Sequence, residues 1–288
     1  MCGGTMSQIT TKEIRLHNGV VIPTLGYRVD KDHGEQNYQR ILNALEAGFR
    51  HFDISADSQA EKVACRAFKD SGIPRGELFI TAKLDNDHHG YNAALREFEN
   101  TLKRLGTDYC DLYLINWPNP IKYRDTYEET AIETWKALET IYKEGKARAI
   151  GVANYEGRHI EFCLEKSEIA PMVNQARIYP GFPFEENLYC ANEHNIQTEG
   201  FLPPHYEAIL NSNELEIFAR KYKTTPHCIA TRYHLEKECI SLCSGKDVEE
   251  LKEYFNAFDF DITDEDMKFL DVMKNYGPEN INPDTCDF

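Results

Sequence analysis

A carboxylate and an ammonium suited to proton transfer sit near the ends of two short apolar runs. Asp53 closes Gly48-Phe49-Arg50-His51-Phe52-Asp53, and Lys83 is the next-to-last residue of Leu78-Phe79-Ile80-Thr81-Ala82-Lys83-Leu84. A third run, Leu114-Ile115-Asn116-Trp117-Pro118, gives way to an amide and an indole. Each run carries a polar side chain where a strand should give way to a loop. In a barrel of parallel strands, such strand ends are where chemistry is carried out. Asp85, Asp87, His88 and His89 follow the Lys83 run. They mix imidazole with carboxylate, but their spacing matches no defined metal site, and no metal is expected. Cys243 ends a later apolar run and reads as an inert thiol rather than a reactive one.

These groups need a scaffold, and strand and helix signals alternate almost without a break. The chain opens with Glu13-Ile14-Arg15-Leu16 and Val20-Val21-Ile22 around His17-Asn18-Gly19. Asn-Gly is a strong hairpin signal. Thr24-Leu25-Gly26-Tyr27 then reads as the first barrel strand. Further strands are predicted at 51–55, 78–84, 111–116, 147–154, 172–178, 196–201 and 239–244. Helices are predicted at 38–47, 59–70, 92–105, 126–144, 156–166 and 213–223, with Trp135 and Leu138 on an inward stripe. Continuous apolar strands such as Leu112-Tyr113-Leu114-Ile115 suit a parallel sheet covered on both faces. The repeated strand-helix unit favours a single (β/α)8 TIM barrel, of class α/β, with an N-terminal β-hairpin cap. No Gly-x-Gly-x-x-Gly follows a strand, which argues against a Rossmann domain. Residues 1–12 read as a flexible tail, and 13–288 as the barrel. The polar stretch after Asp271 is expected to cross the surface near the mouth or side of the barrel.

A length of 288 residues suits one such barrel, and 41% hydrophobic residues can fill its core. A formal charge of −16 repels phosphate-rich partners, so nucleic acid is not expected as a ligand. No apolar run approaches the roughly 20 residues of a membrane span. The nine cysteines are odd in number and lack a CxxC pair. Reduced thiols and a cytoplasmic location are expected.

Several segments, in order, resemble the aldo-keto reductases. They are the three runs above, Arg104-Leu105-Gly106-Thr107-Asp108-Tyr109-Cys110-Asp111, Lys143-Glu144-Gly145-Lys146-Ala147-Arg148-Ala149-Ile150-Gly151-Val152, Val173-Asn174-Gln175 and Phe258-Asp259-Phe260. The resemblance implies a nicotinamide that donates hydride to a carbonyl and a tyrosine that donates the proton. It also implies a lysine–aspartate pair that tunes the tyrosine and a histidine that orients the carbonyl. Asp53 and Lys83 occupy the aspartate and lysine positions, and Glu61 matches a further acidic position. The tyrosine position holds Ser58, and the histidine position holds Asn116. An aliphatic hydroxyl is shorter and far less acidic than a phenol, whose pKa is about 10. An amide polarises an oxygen but exchanges no proton near neutral pH.

The resemblance also places the cofactor groove. Its Pro-Lys-Ser phosphate run falls on Cys243-Ser244-Gly245, its arginine on Glu250 and its asparagine on Tyr254, with Lys246 nearby as a replacement cation. Phe201 takes the stacking position, while Asn154 and Gln175 match the amide-binding positions. Arg28 points toward the nicotinamide end, either as a plug or as an anchor for a carboxylate ligand. Tyr27, Arg28, Asp85 and Trp117 are assigned to the ligand pocket. The Asp53–Lys83 pair has two readings, a buried ion pair without function or a Lys83 that serves as base or anion anchor.

Two functions follow. The first is a barrel that has lost NADPH-dependent carbonyl reduction through a degenerate site, a pseudoenzyme candidate. It would act in non-redox chemistry or in binding and regulation, with a small molecule in the mouth and possible protein partners. No cofactor is expected on that reading. The alternative is an NAD(P)H-dependent oxidoreductase with a rearranged site, for which NADPH is the possible cofactor.

Overall fold

A computed structural model describes residues 12–203, 206–277 and 281–288. Residues 1–11, nearly all of the expected flexible tail, lie outside the described residues. A hairpin of β1 (Glu13–Arg15) and β2 (Val21–Pro23) pairs antiparallel. Asn18 turns it, accepting from Val20 N at 3.1 Å and donating to the Arg148 carbonyl at 3.0 Å. The hairpin therefore rests on the N-terminal end of a barrel strand, away from the chemistry.

Eight strands follow: β3 (Leu25–Val29), β4 (His51–Ile54), β5 (Phe79–Leu84), β6 (Cys110–Ile115), β7 (Ala147–Ala153), β8 (Val173–Arg177), β9 (Gln197–Phe201) and β10 (Ile240–Cys243). They close in chain order, with β10 pairing β3, and every barrel pairing is parallel. The (β/α)8 expectation is met, hairpin included. The long helices lie within a few residues of their predicted spans, at Gln36–Ala47, Ser58–Ser71, Tyr91–Leu105, Tyr127–Lys143, Gly157–Lys166 and Asn213–Tyr222.

Local signals explain these boundaries. Gly48 ends its helix at φ 112°, a left-handed conformation that glycine adopts without Cβ strain, and its N–H bonds the Ala44 and Leu45 carbonyls. Asp57 caps Ser58–Ser71 by accepting from Gln59 N and Ala60 N. Trp135 and Leu138 are buried between helix and barrel, and Trp135 Nε1 donates to the Ile169 carbonyl at 3.0 Å.

The C-terminal segment does reach the mouth. Phe288 meets Trp117 edge-on at 4.9 Å, and its carbonyl accepts from Ile121 N. Asp284 binds Asn119, Arg158 and His159. Burial alone would raise its carboxyl, but these donors outweigh it and hold it at about 2. Among the described residues, no helix is long and apolar enough to cross a membrane, and all eight cysteines are free.

Candidate active site

Side chains alternate across each strand, so the register decides which ones enter the barrel. Arg28 pairs with Asp53, and Tyr27 with Phe52. Arg28 and Asp53 face inward. Tyr27 turns out to the helix layer, packs on Phe49 and Phe52, and donates to the Gly245 carbonyl at 2.6 Å. It is 1% exposed and presents no free group to a ligand.

Asp53 and Lys83 are both buried, and Lys83 Nζ lies 2.8 and 2.9 Å from the two Asp53 oxygens. Arg28 Nε is 3.9 Å from the same carboxylate. Burial raises the Asp53 pKa, but the Lys83 and Arg28 charges overcome it and set it below its usual value. Gln175 Nε2 donates to Asp53 Oδ1 at 3.1 Å and to Glu199 Oε2 at 2.9 Å.

Glu199 is fully buried, and burial followed by repulsion from Asp53 raises its pKa to about 8. Its other oxygen stands 3.6 Å from His51 Nε2. Burial lowers the His51 pKa to about 4, so this ring is neutral. His51 Nδ1 faces the Pro23 carbonyl at 3.3 Å, which only accepts. Nδ1 therefore carries the hydrogen, and Nε2 accepts from the Thr81 hydroxyl at 3.1 Å. The floor is thus a chain from cation to anion to amide to neutral acid, with a neutral imidazole alongside. Sequence reasoning did not pick out Glu199 or give His51 a role. The signal was available, since Glu199 is the one ionisable residue in its strand and His51 stands two residues before Asp53, on the same side of its strand.

The mouth is arranged differently. Ser58 is exposed in the first turn of its helix. Asn116 is half-buried at the end of β6, and its carbonyl accepts from Asn154 Nδ2 at 2.9 Å. Asp85 accepts from His88 Nδ1 at 2.8 Å, and His88 Nε2 lies 3.9 Å from Glu97. These three side chains form a compact group on the rim. Trp117 lies beneath the C-terminal segment. Cys243 is buried, which raises its thiol pKa to about 12 and makes it unreactive.

Beside the floor opens a cleft of about 390 Å³, running from Arg28 and Asp30 past Arg40 and Tyr206 to Ser244, Gly245, Lys246 and Glu250. Arg28 lies over the Phe201 ring at 4.5 Å, donates to Asp30 at 2.8 Å and reaches the Leu202 carbonyl at 3.2 Å. A Cβ at Gly245 would come within 2.9 Å of Leu251 and 3.3 Å of Glu250. The backbone here comes as near its neighbours as a glycine permits.

A parallel barrel with an Asp–Lys pair on its floor and a long polar cleft at its C-terminal rim defines the aldo-keto reductase class. Residues 30–274 match the Aldo/keto reductase family, and the chain belongs to it. It is 36% identical to the glyoxal reductase of Bacillus subtilis, over 96% of this chain and 97% of that protein. It is 33% identical to MGS-M4, an aldo-keto reductase enzyme from a Medee basin deep-sea metagenome library. The TM-score is 0.86, with 96% of this chain and all of that one covered. A mutant of Gox0644 in complex with NADPH is 28% identical, at TM-score 0.85 over 98% of this chain and 100% of that one.

These relatives overturn the expectation of a degenerate pseudoenzyme barrel that has lost NADPH-linked reduction. A relative matched end to end is named as a reductase, and a neighbour of the same shape holds NADPH. The sequence reading gave too much weight to Ser58 and Asn116, and too little to the floor, where the lysine–aspartate pair is intact.

Proposed function

We propose that this chain is a nicotinamide-dependent carbonyl reductase whose proton donor is Lys83 rather than a tyrosine. The intact Asp53–Lys83 pair carries the reading. Two of the three ammonium hydrogens bind Asp53, and the third remains for a substrate oxygen. An ammonium, like a phenol, carries a hydrogen that it can donate to a carbonyl oxygen as charge develops there. Asn116 polarises the same oxygen through its amide. Asp53 holds Lys83 in place, and Gln175 fixes Asp53.

The cleft suits a dinucleotide. Phe201 offers a ring face once Arg28 moves off it, and Asn154 with the Gln175 oxygen suits a carboxamide. Arg40, Lys246 and the Ser244–Lys246 backbone suit phosphates. The bound nicotinamide supplies hydride. Trp117 and Phe288 narrow the mouth, which favours small aldehydes and α-oxoaldehydes, in keeping with the relative named glyoxal reductase. A cytoplasmic location fits the free thiols.

The test is absorbance at the reduced-nicotinamide band with glyoxal, methylglyoxal and an aromatic aldehyde, using NADH and NADPH in turn. Turnover that Lys83→Met abolishes is expected. Wild-type rates no higher than those of Lys83→Met, across every pair, would overturn the proposal.

A further inference from the structure

The two ends of the cleft carry different charge, and this bears on which dinucleotide enters. At the floor end, Arg28 is neutralised by Asp30 at 2.8 Å. Arg40 lines the same cleft as Gly245 and Lys246 and brings a cation to it. At the far end stands Glu250. Its Oε2 lies 3.4 Å from Lys246 N, and its Oε1 is 3.5 Å from His227 Nε2. Burial lowers the His227 pKa, so that ring brings no positive charge to Glu250 at neutral pH. The adjoining helix, Val248–Glu253, begins with Glu249 and Glu250 in its first turn, so its positive end is already met by carboxylates. Ser244, which also lines this end, adds no charge.

A ribose 2′-hydroxyl can donate to a carboxylate, whereas a 2′-phosphate brings about two negative charges and no donor. In dinucleotide sites generally, an acid selects the hydroxyl and an arginine the phosphate.

We infer that Glu250 makes this cleft select the unphosphorylated dinucleotide, NADH, over NADPH. The inference rests on the nicotinamide reading above and deepens it. Lys246 lines the same end as Glu250 and Arg40 lines the cleft; on this inference both cations meet the pyrophosphate, which the two dinucleotides share, and Glu250 sets the preference between them.

The test is calorimetric or fluorescence titration of the wild-type protein, Glu250→Gln and Glu250→Arg with NADH and NADPH. Parallel titrations use the adenosine-end probes 5′-AMP and adenosine 2′,5′-bisphosphate. The wild type is expected to bind NADH at least tenfold tighter than NADPH, and AMP tighter than the bisphosphate by a similar ratio. Glu250→Gln should narrow both ratios several-fold, and Glu250→Arg should reverse them. NADPH binding as tightly as NADH in the wild type overturns the selectivity and leaves the reductase reading standing. Ratios unmoved by Glu250→Gln remove Glu250 from the role. If AMP binds and neither dinucleotide does, the reductase reading fails at its nicotinamide end while the Glu250 preference is still read from the two probes. If no probe binds, both fall.

Discussion

The barrel floor and the cleft beside it use the same kinds of side chain to opposite ends. On the floor every charge is buried and answered: Lys83 by Asp53, Asp53 also by Gln175, and Glu199 by its own protonation. In the cleft the charges are open to solvent, and acids stand among the bases. A buried ionic network is costly to alter one member at a time, because the remaining partner is left unpaired. A solvated cleft tolerates exchange, because water screens each change. On the proposed function the floor holds the reaction chemistry, and the cleft is where this chain has room to differ in what it binds.

Breaking the floor should have the largest effect. Lys83→Met is expected to lower carbonyl reduction by at least about 10²-fold, the usual cost of losing a general acid. It should also destabilise the fold by about 3 kcal/mol, the low end for a broken buried pair, because Arg28 stays near Asp53. Steady-state kinetics and urea unfolding measure the two. Activity retained within threefold would show that the acid lies elsewhere.

The next effect concerns pH. Glu199 in the folded chain holds its proton up to about 8, against 4.5 when exposed. Between these values the unfolded chain has released a proton that the folded chain keeps, so this residue's contribution to stability falls as pH rises. Glu199→Gln does not titrate. The wild type should lose stability relative to this variant from about pH 5 to about pH 8 and then level off. Unfolding curves for the two proteins that stay parallel across that range would mean that Glu199 is ionised in the fold.

A smaller change is expected where floor and cleft meet. Arg28→Ala removes the guanidinium from the Phe201 face, a contact worth about 1 kcal/mol, so reduced nicotinamide should bind roughly fivefold tighter. Weaker binding would instead make Arg28 a ligand-holding residue. Ser58→Ala should change kcat/KM by less than about twofold, since Ser58 is exposed at a helix start. A larger loss would return that hydroxyl to the reaction path.

The pair to which the proposed function gives the chemistry was legible because Asp53 and Lys83 each stand one residue before the end of a short strand, and strand ends in a parallel barrel share one rim. The conclusion drawn from Ser58 and Asn116 was misleading because a missing side chain reveals nothing about which neighbour can take over its proton. Glu61 gives a further contrast. It matches a family position as Asp53 does, yet it binds Arg104 and Thr101 between two helices, outside the barrel. Its role there is packing and pairing, which residue type and spacing alone did not separate from chemistry.

Alternating apolar runs, helix caps and turn glycines determined the closed barrel, because each acts over a few residues and the parallel connection leaves few ways to join them. Register and side-chain direction decided the rest. Tyr27 turns out to the helices while Arg28 turns in to Asp53, although the two are adjacent in the chain. Only closure of the sheet brings Glu199 and His51, from opposite parts of the sequence, within reach of the same floor.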